Sequence, residues 1–117
     1  METMENYFTR EQYSDVVVEL IDLSRATLNE AEHLKGALMK DIMEGFLKFV
    51  VDLKHCEFMD STFLSTLVTT LKHLHSKGGN LKLSSVNKDI QSLLELTGTI
   101  KVFEIFDTKL KAVKSFS

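Results

Sequence analysis

Apolar residues along the chain fall into two kinds of run, and these alternate after residue 15. Short runs rich in β-branched and aromatic residues, such as DVVVELI at 15–21 and FLKFVVDL at 46–53, are typical of buried strands. The second run is apolar on both faces, as expected of a central strand covered on both sides. Strands are therefore predicted at 7–11, 15–21, 46–53, 81–83 and 102–105.

Longer segments repeat their apolar residues every three or four positions, which places these residues on one face of an amphipathic helix. In the segment 61–77 the residues with this spacing are Leu64, Leu67, Val68, Leu71 and Leu74. Helices are predicted at 29–43, 61–77, 87–96 and 107–116. A glycine follows each of the first three, and glycine adopts the left-handed conformation that ends a helix at little cost.

Strands that alternate with helices are typical of the α/β class and of a largely parallel sheet with right-handed connections. Because the first two strands are close in sequence, we expect them to pair antiparallel. The predicted fold is a mixed sheet of four to five strands packed with about four helices. The length of 117 residues is that of one domain, expected over 7–117, with a flexible tail over 1–6.

Charge and composition exclude several classes of function for this protein. A net charge of −3 gives no basic face for nucleic acid. The single cysteine excludes an intramolecular disulfide and is typical of a reducing compartment. No apolar run approaches the ~20 residues that span a bilayer, and the polar, acidic beginning of the chain does not resemble a signal peptide. We therefore expect a cytoplasmic protein with no direct contact to nucleic acid or membrane.

The clearest candidate site follows the strongest strand, because ligands of α/β proteins usually meet the ends of strands and the starts of the next helices. Asp60 is suited to cap the helix that begins there. Ser61 would then be the first helical residue, with an exposed hydroxyl at the positive end of the helix dipole. A phosphate there would be stabilised by the dipole and would add about −1.5 to −2 charges beside Asp60. The alternative is that these residues do no more than cap the helix.

The spacing of the histidines, of Cys56 and of Ser61 along the chain disfavours metal and catalytic sites. His73 and His75 are two residues apart on a predicted helix, so they do not share a face. His55 and Cys56 are adjacent, without a second pair at metal-ligand spacing, and a lone cysteine is more often a small buried apolar residue than a nucleophile. Ser61 has no histidine at a recognisable catalytic spacing. We therefore expect no metal, no cofactor and no enzymatic activity.

A receiver domain is the main look-alike among small α/β signalling domains, because Asp52 lies at the end of an apolar strand. Such a domain also requires an acidic pair after an earlier strand to hold a divalent cation. Asp22 stands alone there, and no lysine lies at the end of the last predicted strand. The receiver interpretation is therefore the weaker one.

Two segments, VVDL at 50–53 and FMDSTFL at 58–64, together resemble the signature of the STAS domain, the anti-sigma factor antagonist family. Further segments resemble that family's glycine turn, its third helix and its final strand: KGGNLKL at 77–83, LLELTG at 93–98 and VFEIF at 102–106. The similarity covers about residues 14–115. It implies a four- or five-stranded sheet with helices packed against it.

The resemblance also implies a function. Ser61 matches the hydroxyl that a partner serine kinase phosphorylates, and that kinase is also the anti-sigma factor. The unphosphorylated antagonist binds this partner and frees the sigma factor, whereas the phosphorylated antagonist releases it. Thr62 is the second choice for the modified residue. The partner-binding segment would comprise Asp60, Ser61, Thr62, Phe63 and Leu64, in a chain that is a monomer or weak homodimer.

The chain departs from the family pattern at two places. The Gly-Leu-Gly that follows the hydroxyl residues in the family is Phe63-Leu64-Ser65 here, so Phe63 is expected to be either an interface anchor or an obstacle to a partner. Ala26 stands where the family often has aspartate. These departures indicate a divergent member. They leave open a constitutive STAS scaffold in a larger signalling or transport complex, and a small-molecule or nucleotide sensor.

Overall fold

The computed structural model describes residues 7–117, and the tail expected at 1–6 lies outside them. Five of the strands form one mixed sheet in the order β1-β2-β4-β6-β7. The first pair is antiparallel and the other pairs are parallel. Along the described chain the strands are β1 (Phe8–Tyr13), β2 (Val16–Ile21), β3 (Arg25–Ala26), β4 (Lys48–Asp52), β5 (Phe58–Met59), β6 (Asn80–Ser84) and β7 (Ile105–Phe106). The predicted α/β fold with a five-stranded mixed sheet is confirmed.

Within residues 7–117 three α-helices connect strands, and a fourth follows β7. They are α1 (Leu28–Met43), α2 (Ser61–Ser76), α3 (Lys88–Thr97) and α4 (Lys109–Lys114). Each helix begins after a residue whose side chain accepts a hydrogen bond from a first-turn N–H group: Thr27, Asp60, Asn87 and Thr108. Such capping satisfies backbone donors that have no partner inside the helix. The local sequence therefore fixes where the helices start.

The sheet divides the core into two parts. One face of β4 directs Phe49 and Val51 toward α1, α2 and α3, where the larger cluster of buried apolar side chains lies. The other face directs Val50 toward Ala112 of α4. This alternation explains why the β4 segment is apolar at nearly every position, as a strand buried on both faces must be.

A second, two-stranded sheet was not predicted from the sequence. β3 and β5 pair in parallel, with Arg25 opposite Phe58 and Ala26 opposite Met59. β5 lies within the stretch 54–60, which was predicted to be a simple connection. Strands of two residues carry too little pattern to be recognised in a sequence. This short ladder aligns the segments that lead into α1 and α2, so the two helices start side by side.

The end of the chain differs from the prediction. The strand predicted at 102–105 is shifted, because a 3₁₀ turn at Thr99–Lys101 follows α3 and β7 begins at Ile105. Phe103 turns its side chain into the core while Val102 remains exposed. The apolar composition of this segment therefore reflects a buried anchor in a loop, which β-propensity alone does not distinguish from a strand. No helix of residues 7–117 is long and apolar enough to cross a bilayer.

Candidate functional site

The carboxylate of Asp60 joins the starts of two helices. One oxygen accepts a hydrogen bond from the N–H of Phe63 in the first turn of α2, at 2.8 Å. The other accepts from the N–H of Leu28, the first residue of α1, at 2.9 Å. The Asp60 backbone N–H donates to the carbonyl of Ala26 at 3.0 Å, which ties the cap to β3. Asp60 is thus the predicted N-cap of α2, and it also caps α1, which its position in the sequence did not reveal.

Ser61 is the first residue of α2 and its side chain is exposed, as predicted. Within residues 7–117 its hydroxyl has no hydrogen-bond partner, since the cap of the helix is supplied by Asp60. The backbone N–H groups of Ser61 and Thr62 likewise have no acceptor among the described residues. An exposed hydroxyl beside free N–H groups at the positive end of a helix favours an added anion.

The other predicted contact residues separate into two groups. Thr62 is exposed beside Ser61, and its hydroxyl also has no partner within the described chain. Phe63 and Leu64, by contrast, are buried in the larger core cluster. Their side chains are not available to a partner in this conformation, because the first turn of α2 rotates them toward the sheet. The expectation that Phe63 anchors or obstructs a partner is corrected accordingly: it fills the core beneath the site.

Two exposed apolar side chains lie in the segments that meet at Asp60, outside α2. Leu28, at the start of α1, is 61% exposed, and Phe58 of β5 is 39% exposed. The Arg25 guanidinium lies over the Phe58 ring, 4.3 Å from its centroid. Leu28 was not singled out from the sequence, because its position near Asp60 depends on the fold. Phe58 belongs to the segment 58–64, but its exposure was not predicted. Both side chains are therefore available for an apolar contact with a partner.

Two clefts run along α2 on either side of this position. One, of about 350 Å³, lies between α1 and α2, and Thr62 and Ser65 are among its lining residues. The other, of about 340 Å³, lies between α2 and the segment after α3, and Ser61 is among its lining residues. The exposed ridge of α2 therefore begins with the two candidate hydroxyl groups and stands between two grooves.

A third helix start is tied to the same region. Asn87 caps α3 by accepting a hydrogen bond from the N–H of Ile90 at 2.8 Å. Its side-chain amide also donates to the carbonyls of Cys56 and Glu57, at 3.3 and 3.0 Å. The loop after β4 is thus held between the starts of three helices. A signal for the Asn87 cap was present in the sequence, but its second role depends on the folded loop.

Three other kinds of site were considered from the sequence: a metal centre, a reactive cysteine and a receiver-type aspartate. No group of three metal-ligating side chains occurs within residues 7–117. Cys56 is buried, and burial raises the pKa of its thiol, which disfavours the reactive thiolate. Asp52 is buried and its carboxylate accepts a hydrogen bond from the Ser84 hydroxyl at 2.7 Å, so it is engaged inside the fold. Cys56 and Asp52 are therefore buried parts of the fold.

The fold and the site together define a small α/β module that presents hydroxyl groups at an exposed helix start. The chain belongs to the STAS domain family, whose model matches residues 7–112. Among curated proteins it is similar to the anti-sigma F factor antagonist of Paenibacillus polymyxa, with 33% identity over 64 residues, or 55% of each chain. It is also similar to a provisionally named anti-sigma factor antagonist of Thermotoga maritima, with 29% identity over 101 residues, or 86% of this chain and 89% of the other.

Solved structures show the same architecture. A crystal structure of a provisionally named Thermotoga maritima anti-sigma factor antagonist superposes with a TM-score of 0.85 and 26% identity, covering 92% of both chains. The phosphorylated form of the Bacillus cell fate determinant SpoIIAA gives a TM-score of 0.76 at 15% identity, covering 94% of this chain and 99% of the other. A sulfate transporter family protein of Wolinella succinogenes gives 0.76 at 24% identity, covering 88% and 85%. The last two likenesses concern the fold alone.

Proposed function

We propose that this protein is an anti-sigma factor antagonist that works as a phosphorylation-switched binding module in the cytoplasm, without enzymatic activity of its own. Its partner is an anti-sigma factor that is also a serine kinase. The unphosphorylated chain binds this partner and keeps it from its sigma factor. The observation that carries the proposal is the exposed, unpartnered hydroxyl of Ser61 at the first position of α2. The names of the curated relatives support the same class of function.

Phosphorylation of Ser61 would change the charge of the surface without requiring a change of fold. The phosphate would accept hydrogen bonds from the free N–H groups of Ser61 and Thr62. Asp60 continues to cap α2 and α1, because both of its oxygens are already engaged with backbone donors. About two negative charges would then stand beside Asp60, at the helix start to which the segments of the exposed residues Leu28 and Phe58 lead. A partner that buries Leu28 and Phe58 would also have to remove water from this phosphate, so its binding would weaken.

The modified residue can be identified by incubating the chain with its candidate kinase and ATP and mapping the phosphopeptides by mass spectrometry. We expect the phosphoryl group on Ser61, and we expect Ser61→Ala to abolish its transfer. Thr62→Ala is the matched control, because it removes the neighbouring hydroxyl and leaves Ser61 in place. Phosphate on another residue, with Ser61→Ala phosphorylated as well as the unaltered chain, would overturn the assignment.

A constitutive scaffold within a larger assembly is the second candidate, since the same fold occurs in a sulfate transporter family protein. The departure from the family pattern at Phe63 no longer favours a scaffold, because Phe63 is buried and does not alter the docking surface. The two functions differ in a pull-down with Ser61→Asp. A scaffold would retain its partner, whereas a switch would lose it. Ser92→Asp, an exposed position on α3, is the control for a general charge effect.

A further inference from the structure

A buried carboxylate without a hydrogen-bond partner lies near the C-terminal end of α1, which is the end away from Asp60 and Ser61. Glu19 of β2 is 3% exposed, and its Oε2 atom has no hydrogen-bond partner among residues 7–117. Val17 and Ile21, which share its face of the strand, pack into the apolar cluster below α1. Burying a carboxylate without a partner is costly, so such a group requires an explanation.

The cation nearest in register to Glu19 is already engaged. Arg10 of β1 lies directly opposite Glu19 in the antiparallel pair. Its guanidinium Nε instead donates to both carboxylate oxygens of Asp41 in α1, at 3.1 Å each. On the other side of Glu19, β4 supplies the apolar Val51. The guanidinium thus makes its hydrogen bonds to Asp41, and Glu19 is left without a hydrogen-bonded cation.

Glu19 lines a cleft of about 670 Å³ between β1 and the last turns of α1. The charged residues of this cleft are Arg10, Glu19, Lys40, Asp41 and Glu44. Lys40 and Glu44 are exposed near its mouth, whereas Glu19 and Asp41 are buried. Three carboxylates therefore face two cations, and the excess negative charge lies on the buried side of the cleft.

We propose that this cleft binds a ligand through a protonated amino or guanidinium group that donates hydrogen bonds to the Glu19 carboxylate. A cation of this kind supplies both the missing charge and the missing donors, and charge-assisted hydrogen bonds of this type are the strong ones. The Phe46 ring, which already stacks with Arg10 at 5.3 Å from its centroid, provides an apolar wall for the remainder of the ligand. The site is independent of Ser61, because Asp41 lies about 20 Å along α1 from Leu28.

The proposal has a consequence for pH. Burial raises the pKa of Glu19 to about 7, with a further contribution from Asp41 that Arg10 partly offsets. The cation requires the ionised carboxylate, so its apparent affinity follows the ionised fraction of Glu19. Binding should therefore strengthen about tenfold between pH 6 and pH 8. Conversely, bound cation should lower the pKa of Glu19.

The probes are n-butylguanidinium and its neutral isostere n-butylurea. Each is titrated into the intact protein at pH 8 to measure binding, and the side-chain carboxyl resonance of Glu19 is then followed by NMR over a pH series with and without the probe. We expect n-butylguanidinium to bind and to lower the midpoint of Glu19 titration by about one unit or more, and n-butylurea to have neither effect. A blocked Gly-Arg-Gly peptide distinguishes the source of the cation. Tighter binding of the peptide assigns the site to a protein segment. Tighter binding of n-butylguanidinium assigns it to a small cationic molecule.

Glu19→Gln keeps the shape of the side chain and removes its charge, so it should abolish binding of n-butylguanidinium. Glu95→Gln, on the exposed face of α3, is the matched control and should bind as the unaltered chain does. Equal binding by Glu19→Gln, equal binding of n-butylurea, or no binding of either cationic probe at about 10 mM would overturn the proposal. Because Ser61 takes no part in this assay, its result does not depend on the proposed switch.

Discussion

Asp60 and Leu28, 32 residues apart in the sequence, are joined by a hydrogen bond of 2.9 Å from the Leu28 N–H to the Asp60 carboxylate. Because the same carboxylate also caps α2, one side chain sets the relative position of two helix starts. The start of α1, with the exposed side chain of Leu28, is thereby joined to the start of α2. The candidate binding surface thus depends on a residue that need not touch the partner.

Asp60→Ala should lower the free energy of unfolding by about 2 kcal/mol, because it removes the cap of α2 and a second hydrogen bond to α1. Asp60→Asn retains an acceptor for the Phe63 N–H but places amide donors near the Leu28 N–H, so about half of the loss should remain. Urea denaturation measures both changes. Hydrogen exchange should accelerate at Leu28 in both variants and at Phe63 in the alanine variant alone. Equal protection of Leu28 in all three chains would contradict the double cap.

Phe63 and Phe58 should respond in opposite ways to truncation. Phe63→Ala should lower the free energy of unfolding by about 3–5 kcal/mol, since the side chain is fully buried. Phe58→Ala should cost about 1 kcal/mol or less, because Phe58 is partly exposed, but it should weaken partner binding. The conservative variant Phe63→Leu should fold and bind the partner normally. A folded Phe63→Leu that loses the partner would show that Phe63 contacts it directly.

The parts of the fold that were predictable are those where one local pattern dominates. The β4 segment is apolar on both faces, and its position at the centre of the sheet follows from that pattern. Gly98 was expected to end the third helix, and it does so with a φ of 76°. The β3–β5 ladder was missed, because two residues of extended backbone leave no periodic signal. The last strand was misplaced because Phe103 anchors a loop.

Glu19 should make stability depend on pH. Its pKa is raised from the ordinary value of 4.5 to about 7 in the folded chain, so the folded state holds the proton more tightly than the unfolded state. The free energy of unfolding should therefore fall as pH rises from about 4.5 to 7, by an amount on the order of 3 kcal/mol. Glu19→Gln should remove this loss, becoming more stable than the unaltered chain at pH 8 but not at pH 4.5. A difference that stays constant with pH would contradict a buried, uncompensated carboxylate.

Two glycines provide a matched test of local packing. A Cβ atom at Gly79 would collide with the backbone carbonyl oxygen of Leu47, whereas a Cβ at Gly36, on the exposed side of α1, meets no atom within 4 Å. Gly79→Ala should therefore lower the melting temperature, because the backbone at Leu47 or at residue 79 would have to shift to make room for the methyl group. Gly36→Ala should raise the free energy of unfolding by about 0.5–1 kcal/mol, since alanine is the better helix former. Both changes are measured by thermal unfolding, and a stabilising Gly79→Ala would contradict the close approach.

The site was predictable where capping chemistry alone determines it. Asp60 and Ser61 lie where the sequence placed them, because an aspartate before a helical pattern is a strong start signal. Phe63 was misjudged, although its spacing of four from Leu67 already assigned it to the buried face of α2. Leu28 and Glu19 were missed for a different reason. Their roles depend on which elements meet, and tertiary contacts of this kind leave no local pattern.

The central claim is that phosphate on Ser61 controls partner binding. Its most direct test compares the affinity of the anti-sigma partner for the full chain carrying phosphoserine at 61 with its affinity for the unmodified chain. We expect phosphoserine at 61 to weaken binding tenfold or more, which corresponds to about 1.4 kcal/mol or more. Phosphoserine at position 92, an exposed residue of α3, should leave the affinity unchanged. Equal affinity of the unmodified chain and the chain phosphorylated at Ser61 would contradict the account.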